Sequence, residues 1–192
     1  MGKPSQALVK QFIDDSLADQ WASFVLPDTT ILAETGQFIM ANVPPQRGHC
    51  AMLSSAWAMM LRENFDIPAL VVCGDLYAGQ QLIFKSKNNI PDFSAKAPNQ
   101  VVSFEVDGHC WLDIGGYICD LSIFRTAYAI DQEHALAKFV NQRFGAGRGI
   151  FICPYELLGS SGFKYVPKSV LKDSQVEALW QGLGYQIRSG QL

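Results

Sequence analysis

The sequence predicts an α+β domain in which a central buried helix packs against an antiparallel sheet. Three observations lead there: helical periodicity near both ends of the chain, an Ala-, Met- and Leu-rich helix running into a β-branched strand, and a hairpin pattern around Gly115-Gly116. At 192 residues and 48% hydrophobic, the chain buries one core without a second domain, so residues 1–192 are read as a single unit.

Residues 5–23 place Leu8, Val9, Phe12, Ile13, Leu17 and Trp21 at three-to-four spacing, which predicts one amphipathic helix docked by that stripe. Pro27 and Pro44-Pro45 bracket a mixed stretch that reads either as a short strand over residues 37–43 or, taken whole, as a lid. From Cys50 to about Asn64 the composition favours helix strongly, with Leu53, Trp57, Met60 and Leu61 on one face and alanines leaving little polar surface elsewhere. Pro68 ends that helix by disfavouring helical geometry at Ile67, and residues 69–77 then read as an interior strand. Residues 79–100 form a loop or weak hairpin, and residues 101–114 and 117–124 are the two strands of a hairpin about Gly115-Gly116. A second amphipathic helix is expected over residues 131–144, capped by Asp131 and stopped by Gly145. Strands over residues 149–155 and 162–167 and a short helix over residues 173–183 complete the chain.

Composition narrows the function. Eighteen acidic against 15 basic residues, a net charge of -3 and no run of Lys or Arg leave no electrostatic footprint for nucleic acid. The N-terminus lacks the apolar core of a signal peptide, and no apolar run approaches membrane-spanning length. The lipidation motif that Gly2 suggests needs Ser or Thr where Gln6 stands. Five cysteines without a paired spacing fit a reducing compartment, so the expectation is a soluble, cytoplasmic protein with no membrane partner. The glycines of residues 145–149 lack the Lys-Ser or Lys-Thr of a phosphate loop, and His134 reads as a surface residue of its helix.

The informative feature is a repeated tripeptide. Gly-His-Cys occurs at Gly48-His49-Cys50 and at Gly108-His109-Cys110, although the chain has only three histidines and five cysteines. The first copy begins the central helix, where unpaired N–H groups and the positive end of the dipole stabilise a thiolate at Cys50. The second copy lies on the hairpin. With a two-residue turn, Ile114 faces Tyr117, Trp111 faces Asp120 and His109 faces Ser122, which makes Asp120 the diagonal neighbour of His109 at about 7–8 Å between backbones. Asp113 is roughly 13 Å from His109 along the strand, and Cys110 points to the opposite face. A histidine held by one carboxylate keeps its other nitrogen free as a base, so Cys50, His109 and Asp120 together make a nucleophilic set.

In combination these residues resemble the transglutaminase-like branch of the papain-like cysteine enzymes. The resemblance is carried by Gly48-His49-Cys50, Leu61-Arg62, Ile67-Pro68-Ala69, Val72-Cys73-Gly74, His109-Cys110-Trp111 and Asp120, within a motif-bearing core of about residues 47–122. It implies a papain-like, transglutaminase-like fold, Cys50 as nucleophile, His109 as general base and acid, and Asp120 as the group that orients His109. Trp111 is then a packing neighbour that shields the His-Asp contact. The oxyanion needs donors: backbone N–H groups at the helix start are ready candidates. Among side chains Gln46 comes first, with Asn42 and Gln37 behind it, while His49 and Trp111 complete the residues expected near substrate.

The leading expectation is a cysteine-dependent acyl-transfer enzyme acting on a peptide, a side-chain amide or a small amide or ester, with no cofactor. One alternative is a catalytically silent module that binds a peptide or partner in the same groove. Another is a metal site built from His49, Cys50, His109 and Cys110. Against the metal reading, adjacent strand residues point to opposite faces and cannot readily share one tetrahedral ion.

Overall fold

The computed structural model describes residues 4, 6–44, 48–87, 90 and 107–192. Among them are eight helices and a six-stranded sheet whose recorded pairings are all antiparallel. The helices are α1 (Gln6–Lys10), α2 (Asp15–Ser23), α3 (Thr30–Asn42), α4 (Cys50–Phe65), α5 (Ile123–Ala129), α6 (Ala135–Phe144), α7 (Tyr155–Ser161) and α8 (Asp173–Arg188). The strands are β1 (Leu70–Ala78), β2 (Gln81–Phe84), β3 (His109–Ile114), β4 (Tyr117–Asp120), β5 (Phe151–Pro154) and β6 (Phe163–Val170).

Both faces of the sheet are covered. Along β1, Val71 and Cys73 face a core shared with α3, α4 and α8, while Leu70 and Val72 face a second core shared with α1, α2, α5, α6 and α7. The central helix α4 is buried on most sides, as its composition predicts, with Trp57, Ala58 and Leu61 fully enclosed. Arg62 fixes its far end by donating from Nε to the Ala69 carbonyl and from Nη1 to Asp173, both at 2.8 Å. Among the described residues no helix is long and apolar enough to cross a membrane.

β1 organises the sheet. Residues 72–74 of β1 pair with both β3 and β6, which therefore lie on opposite edges, and residues 76–78 pair with both β2 and β6. One edge of β1 thus carries β3 along its first half and β2 along its second. The handover comes just after Gly74, which faces His109, and just before Leu76, which faces Phe84. Glycine is needed there: a Cβ on Gly74 would stand 2.0 Å from the Val166 carbonyl oxygen and 2.9 Å from the Trp111 ring. Gly108 has φ +100° and would meet the Gly74 carbonyl at 2.6 Å, so the two glycines together set the start of β3. Gly74→Ala is expected to cost about 1–3 kcal/mol by overpacking, measured as a lower urea midpoint at unchanged slope.

The hairpin register is as the sequence predicts, with Ile114 facing Tyr117, Asp113 facing Ile118 and Leu112 facing Cys119. Other expectations need correction. The single N-terminal helix is two, because Asp14 leaves the helical conformation to cap α2, accepting from the Leu17 N–H at 2.8 Å. The strand allowed over residues 37–43 is the end of α3, whose buried Leu32, Thr35, Gly36 and Ile39 follow helical spacing. The second hairpin strand stops at Asp120, and Ile123 already belongs to α5. α6 starts at Ala135 with His134 as its cap, while Asp131 holds the Glu133 N–H one turn earlier. The loop or hairpin expected over residues 79–100 supplies β2, and β5 and β6 flank an unforeseen helix, α7. The part of the first hairpin strand over residues 101–106 lies outside the described residues.

Candidate active site

Cys50 is the first residue of α4, half-buried, with its carbonyl neighbour His49 accepting the first helical hydrogen bond from Leu53 N–H. The N–H groups of that first turn have no partner within the helix and point toward the Cys50 end. His109 opens β3 and is 2% exposed. Its Nε2 and Asp120 Oδ2 are 2.5 Å apart, which leaves Nδ1 as the nitrogen available to Cys50, a lining residue of the same cleft. The diagonal neighbour read from the hairpin register is therefore a direct partner.

Asp120 is fully buried and accepts five hydrogen bonds. Oδ1 takes the Ser122 N–H at 2.8 Å, the Ser122 hydroxyl at 3.0 Å and the Ile123 N–H at 3.0 Å. Oδ2 takes His109 and the Tyr165 hydroxyl, the latter at 2.9 Å. Burial alone would raise the carboxyl's pKa, but the neighbouring His109 charge and these donors hold it below the ordinary carboxylate value. Tyr165, pushed well above its usual value by burial and then by Asp120, remains a proton donor.

The charges of the pair follow from the same surroundings. Burial would lower the His109 pKa, yet the Asp120 carboxylate and the Cys50 thiolate raise it to about 10. The Cys50 thiol lies well below its usual value, chiefly through a hydrogen bond from the Cys110 thiol, and further through His109 and the Cys110 backbone N–H, which outweigh burial. Cys110 is itself pushed well above the thiol range, first by burial and then by its sulfur neighbours, so it stays protonated and donates. The two shifts run in the directions that favour a thiolate–imidazolium pair.

Aromatic rings wall off His109. Phe84 stacks on it at 5.3 Å and 15°, Trp111 lies at 6.4 Å and 23°, and Tyr165 at 6.2 Å, with Trp111 and Tyr165 edge to face at 5.0 Å. Trp111 is fully buried and is a packing neighbour, as its place on the strand implies; it does not line the cleft and is corrected as a substrate contact.

Cys50 and His109 open into a cleft of about 410 Å³. Gly48, His49 and Leu53 form its helix side, Ile83, Phe84 and Lys85 its β2 side, and Ser122, Arg125 and Thr126 its α5 side. His49 thus lines the cleft; among the described residues its buried Nδ1 has no hydrogen-bond partner, and burial lowers its pKa. Arg125 ties the α5 wall to the end of α3 by donating to the Val43 carbonyl at 2.8 Å and to the Met40 carbonyl. Gln46 lies outside the described residues. Asn42 and Gln37 are corrected as oxyanion donors: both are exposed on α3 and outside the cleft lining, and Asn42 Nδ2 donates to the Phe38 carbonyl of its own helix at 2.7 Å.

No family model, curated protein or solved structure matches the chain. The chemistry open to the site is set by its own geometry: a thiol at a helix start, an imidazole and the buried carboxylate bonded to it meet at one cleft. Among the described residues no group of three or more His, Cys, Asp and Glu side chains is arranged to hold a metal ion.

Three partners escaped the sequence reading. Cys110 does face away from the His109–Asp120 side, but α4 brings Cys50 to that face, so the expected bystander is the thiolate's main donor. Phe84 and Tyr165 come from β2 and β6, whose pairing with β1 a single sequence does not reveal. A signal for Tyr165 was present in GFKYVPKSV, where Phe163 and Tyr165 alternate with polar residues on one face of a strand.

Proposed function

We propose that the chain is a cysteine-dependent acyl-transfer enzyme of the papain-like, transglutaminase-like kind, acting on an amide or ester through Cys50, His109 and Asp120. The observation that carries this reading is that Cys50 and His109 line one cleft, with His109 hydrogen-bonded to the buried Asp120 behind it. The fold assignment belongs to the same proposal. Its support is the order of parts: a thiol at the start of a buried helix, the strand that follows, then histidine and aspartate on successive hairpin strands.

In this mechanism the Cys50 thiolate attacks the substrate carbonyl carbon, and the carbonyl oxygen takes up negative charge beside the N–H groups of the first α4 turn. One such donor is worth about 10²–10³ in rate. The adduct collapses as His109 gives its Nδ1 proton to the leaving amine or alcohol, leaving Cys50 as a thioester. Water or an amine then gives a proton to His109 and attacks the thioester, which frees the thiolate. Proton transfer by a placed imidazole supplies about 10²–10⁴. Asp120 holds the ring's other N–H, so the same nitrogen serves both half-reactions.

A panel of activated esters, glutamine-containing peptides and simple amides, each with water or a primary amine as acceptor, tests the proposal. At least one substrate is expected to be turned over with transient acylation of Cys50, and Cys50→Ala is expected to abolish turnover. Turnover that survives Cys50→Ala would overturn the mechanism, and binding of peptides in the cleft without any acylation would make it a recognition groove instead.

A further inference from the structure

Three of the five cysteines lie against one core, and the proposed acyl transfer uses only the first. Cys50 packs against the core that holds Cys110 and Cys73, its thiol interacts electrostatically with that of Cys110, and the sulfurs of Cys110 and Cys73 are 2.6 Å apart. Cys73 and Cys110 are also direct cross-strand partners on β1 and β3. Facing residues of an antiparallel pair have Cα atoms about 4.5–5.5 Å apart, inside the span of about 4.4–6.8 Å that a disulfide bridges. Cys73 and Cys110 are fully buried, whereas Cys50 borders the cleft. A small solute therefore meets one end of the row alone.

We propose that Cys50, Cys110 and Cys73 form a peroxide-responsive thiol relay that protects the nucleophile from irreversible oxidation. It rests on the nucleophilic Cys50 of the proposed function. In the first step the Cys50 thiolate attacks a hydroperoxide; the O–O bond breaks, sulfur is oxidised to sulfenic acid, and the peroxide is reduced to water or an alcohol. The Cys110 sulfur then attacks Cys50 Sγ. An S–S bond forms, the S–O bond breaks, and hydroxide leaves with the Cys110 proton as water. Oxidation to the neutral sulfenic acid also removes one of the influences that, after burial, hold that proton in place. In the last step Cys73 attacks Cys110 Sγ, the Cys73–Cys110 disulfide forms, and Cys50 departs with the Cys73 proton. The oxidising equivalent ends in the core, and the nucleophile is returned.

Hydrogen peroxide is added to the native full-length protein, free thiols are blocked at intervals, and the products are mapped without reduction by mass spectrometry. The expected result is loss of two hydrogen atoms, a Cys50–Cys110 link early, a Cys73–Cys110 link later, and full reversal by dithiothreitol. In Cys110→Ala, Cys50 is expected to proceed to sulfinic acid that dithiothreitol does not restore. Wild-type Cys50 passing to sulfinic acid without a disulfide would overturn the relay. So would a Cys73–Cys110 link forming as fast in Cys50→Ala as in the wild type. Iodoacetamide labelling at pH 6, run in parallel, separates the two readings: fast labelling of Cys50 without cross-linking sinks the relay alone, and slow labelling without cross-linking sinks both.

Discussion

Asp120→Ala is expected to destabilise the fold by about 3–5 kcal/mol, the cost of breaking a buried charged pair by removing one partner. The residue is fully buried, and five donors from β3, the start of α5 and β6 converge on it. Its loss strands the His109 N–H, the Tyr165 hydroxyl, the Ser122 hydroxyl and two backbone N–H groups, and a single unsatisfied buried group costs about 1–3 kcal/mol. Judged from the hairpin alone, Asp120 would be the mildest of the three substitutions, because an orienting group usually matters less than a nucleophile or base. The network reverses that order for stability. Urea unfolding monitored by circular dichroism measures it, and Asp120→Asn, which keeps an acceptor for the α5 start, is expected to lose less. Because folding depresses the Asp120 pKa, its contribution is present above the unfolded carboxyl value of about 3.9 and is lost as pH falls through the lower folded value. Wild-type stability should therefore decline in acid, and Asp120→Asn should show a shallower decline. Equal slopes in the two proteins would contradict the assignment.

His109→Ala is expected to slow iodoacetamide labelling of Cys50 at pH 6 by about tenfold or more. A thiol with the ordinary pKa of about 8.5 is ionised to only roughly 0.3% at that pH; the Cys110 thiol stays in this variant and, with the greater intrinsic nucleophilicity of a more basic thiolate, keeps the loss short of that full reversion. The sign of each contribution fixes the window. His109, raised to about 10, contributes stability that is complete below its unfolded value of about 6.5 and disappears as pH rises through about 10. Cys50, lowered, contributes stability present above its unfolded value and lost as pH falls through its folded one. The ion pair accordingly persists from the depressed thiol value up to about 10. Thiolate absorbance, taken as the difference between wild type and Cys50→Ala, should be flat across neutral pH. A single titration step near 8.5 would show that no such pair exists.

The sequence reading succeeded where a local rule has one outcome. A Gly115-Gly116 turn fixes the hairpin register, and the register puts Asp120 within reach of His109. The Ala-, Met- and Leu-rich stretch from Cys50 strongly favours a helix buried on most sides, and its start places the thiol beside the N–H groups of the first turn. The reading failed where partners come from distant elements. Nothing near Cys50 says that Cys110 will be its donor, because that contact depends on how α4 lies across β3. Likewise Phe84 reaches His109 only because β2 succeeds β3 along the same edge of β1. Residues 37–43 misled for another reason: Phe, Ile, Met and Val suit either period in so short a stretch, and only burial of Leu32, Gly36 and Ile39 selects the helix.

The sheet separates two cores, and the proposed nucleophile belongs to one while its base belongs to the other. Cys50 rides on α4, packed with Cys110, Leu112 and Cys119, whereas the surroundings of His109 are Trp111, Tyr165 and Phe84 on the far side. The two halves of the site meet only where β3 begins and its strand no longer stands between them. Reactivity of Cys50 is thus a gauge of alignment between layers: a slip of α4 over the sheet would part sulfur from imidazole while each core stayed intact. Mild denaturant should silence the thiol before it unfolds the chain.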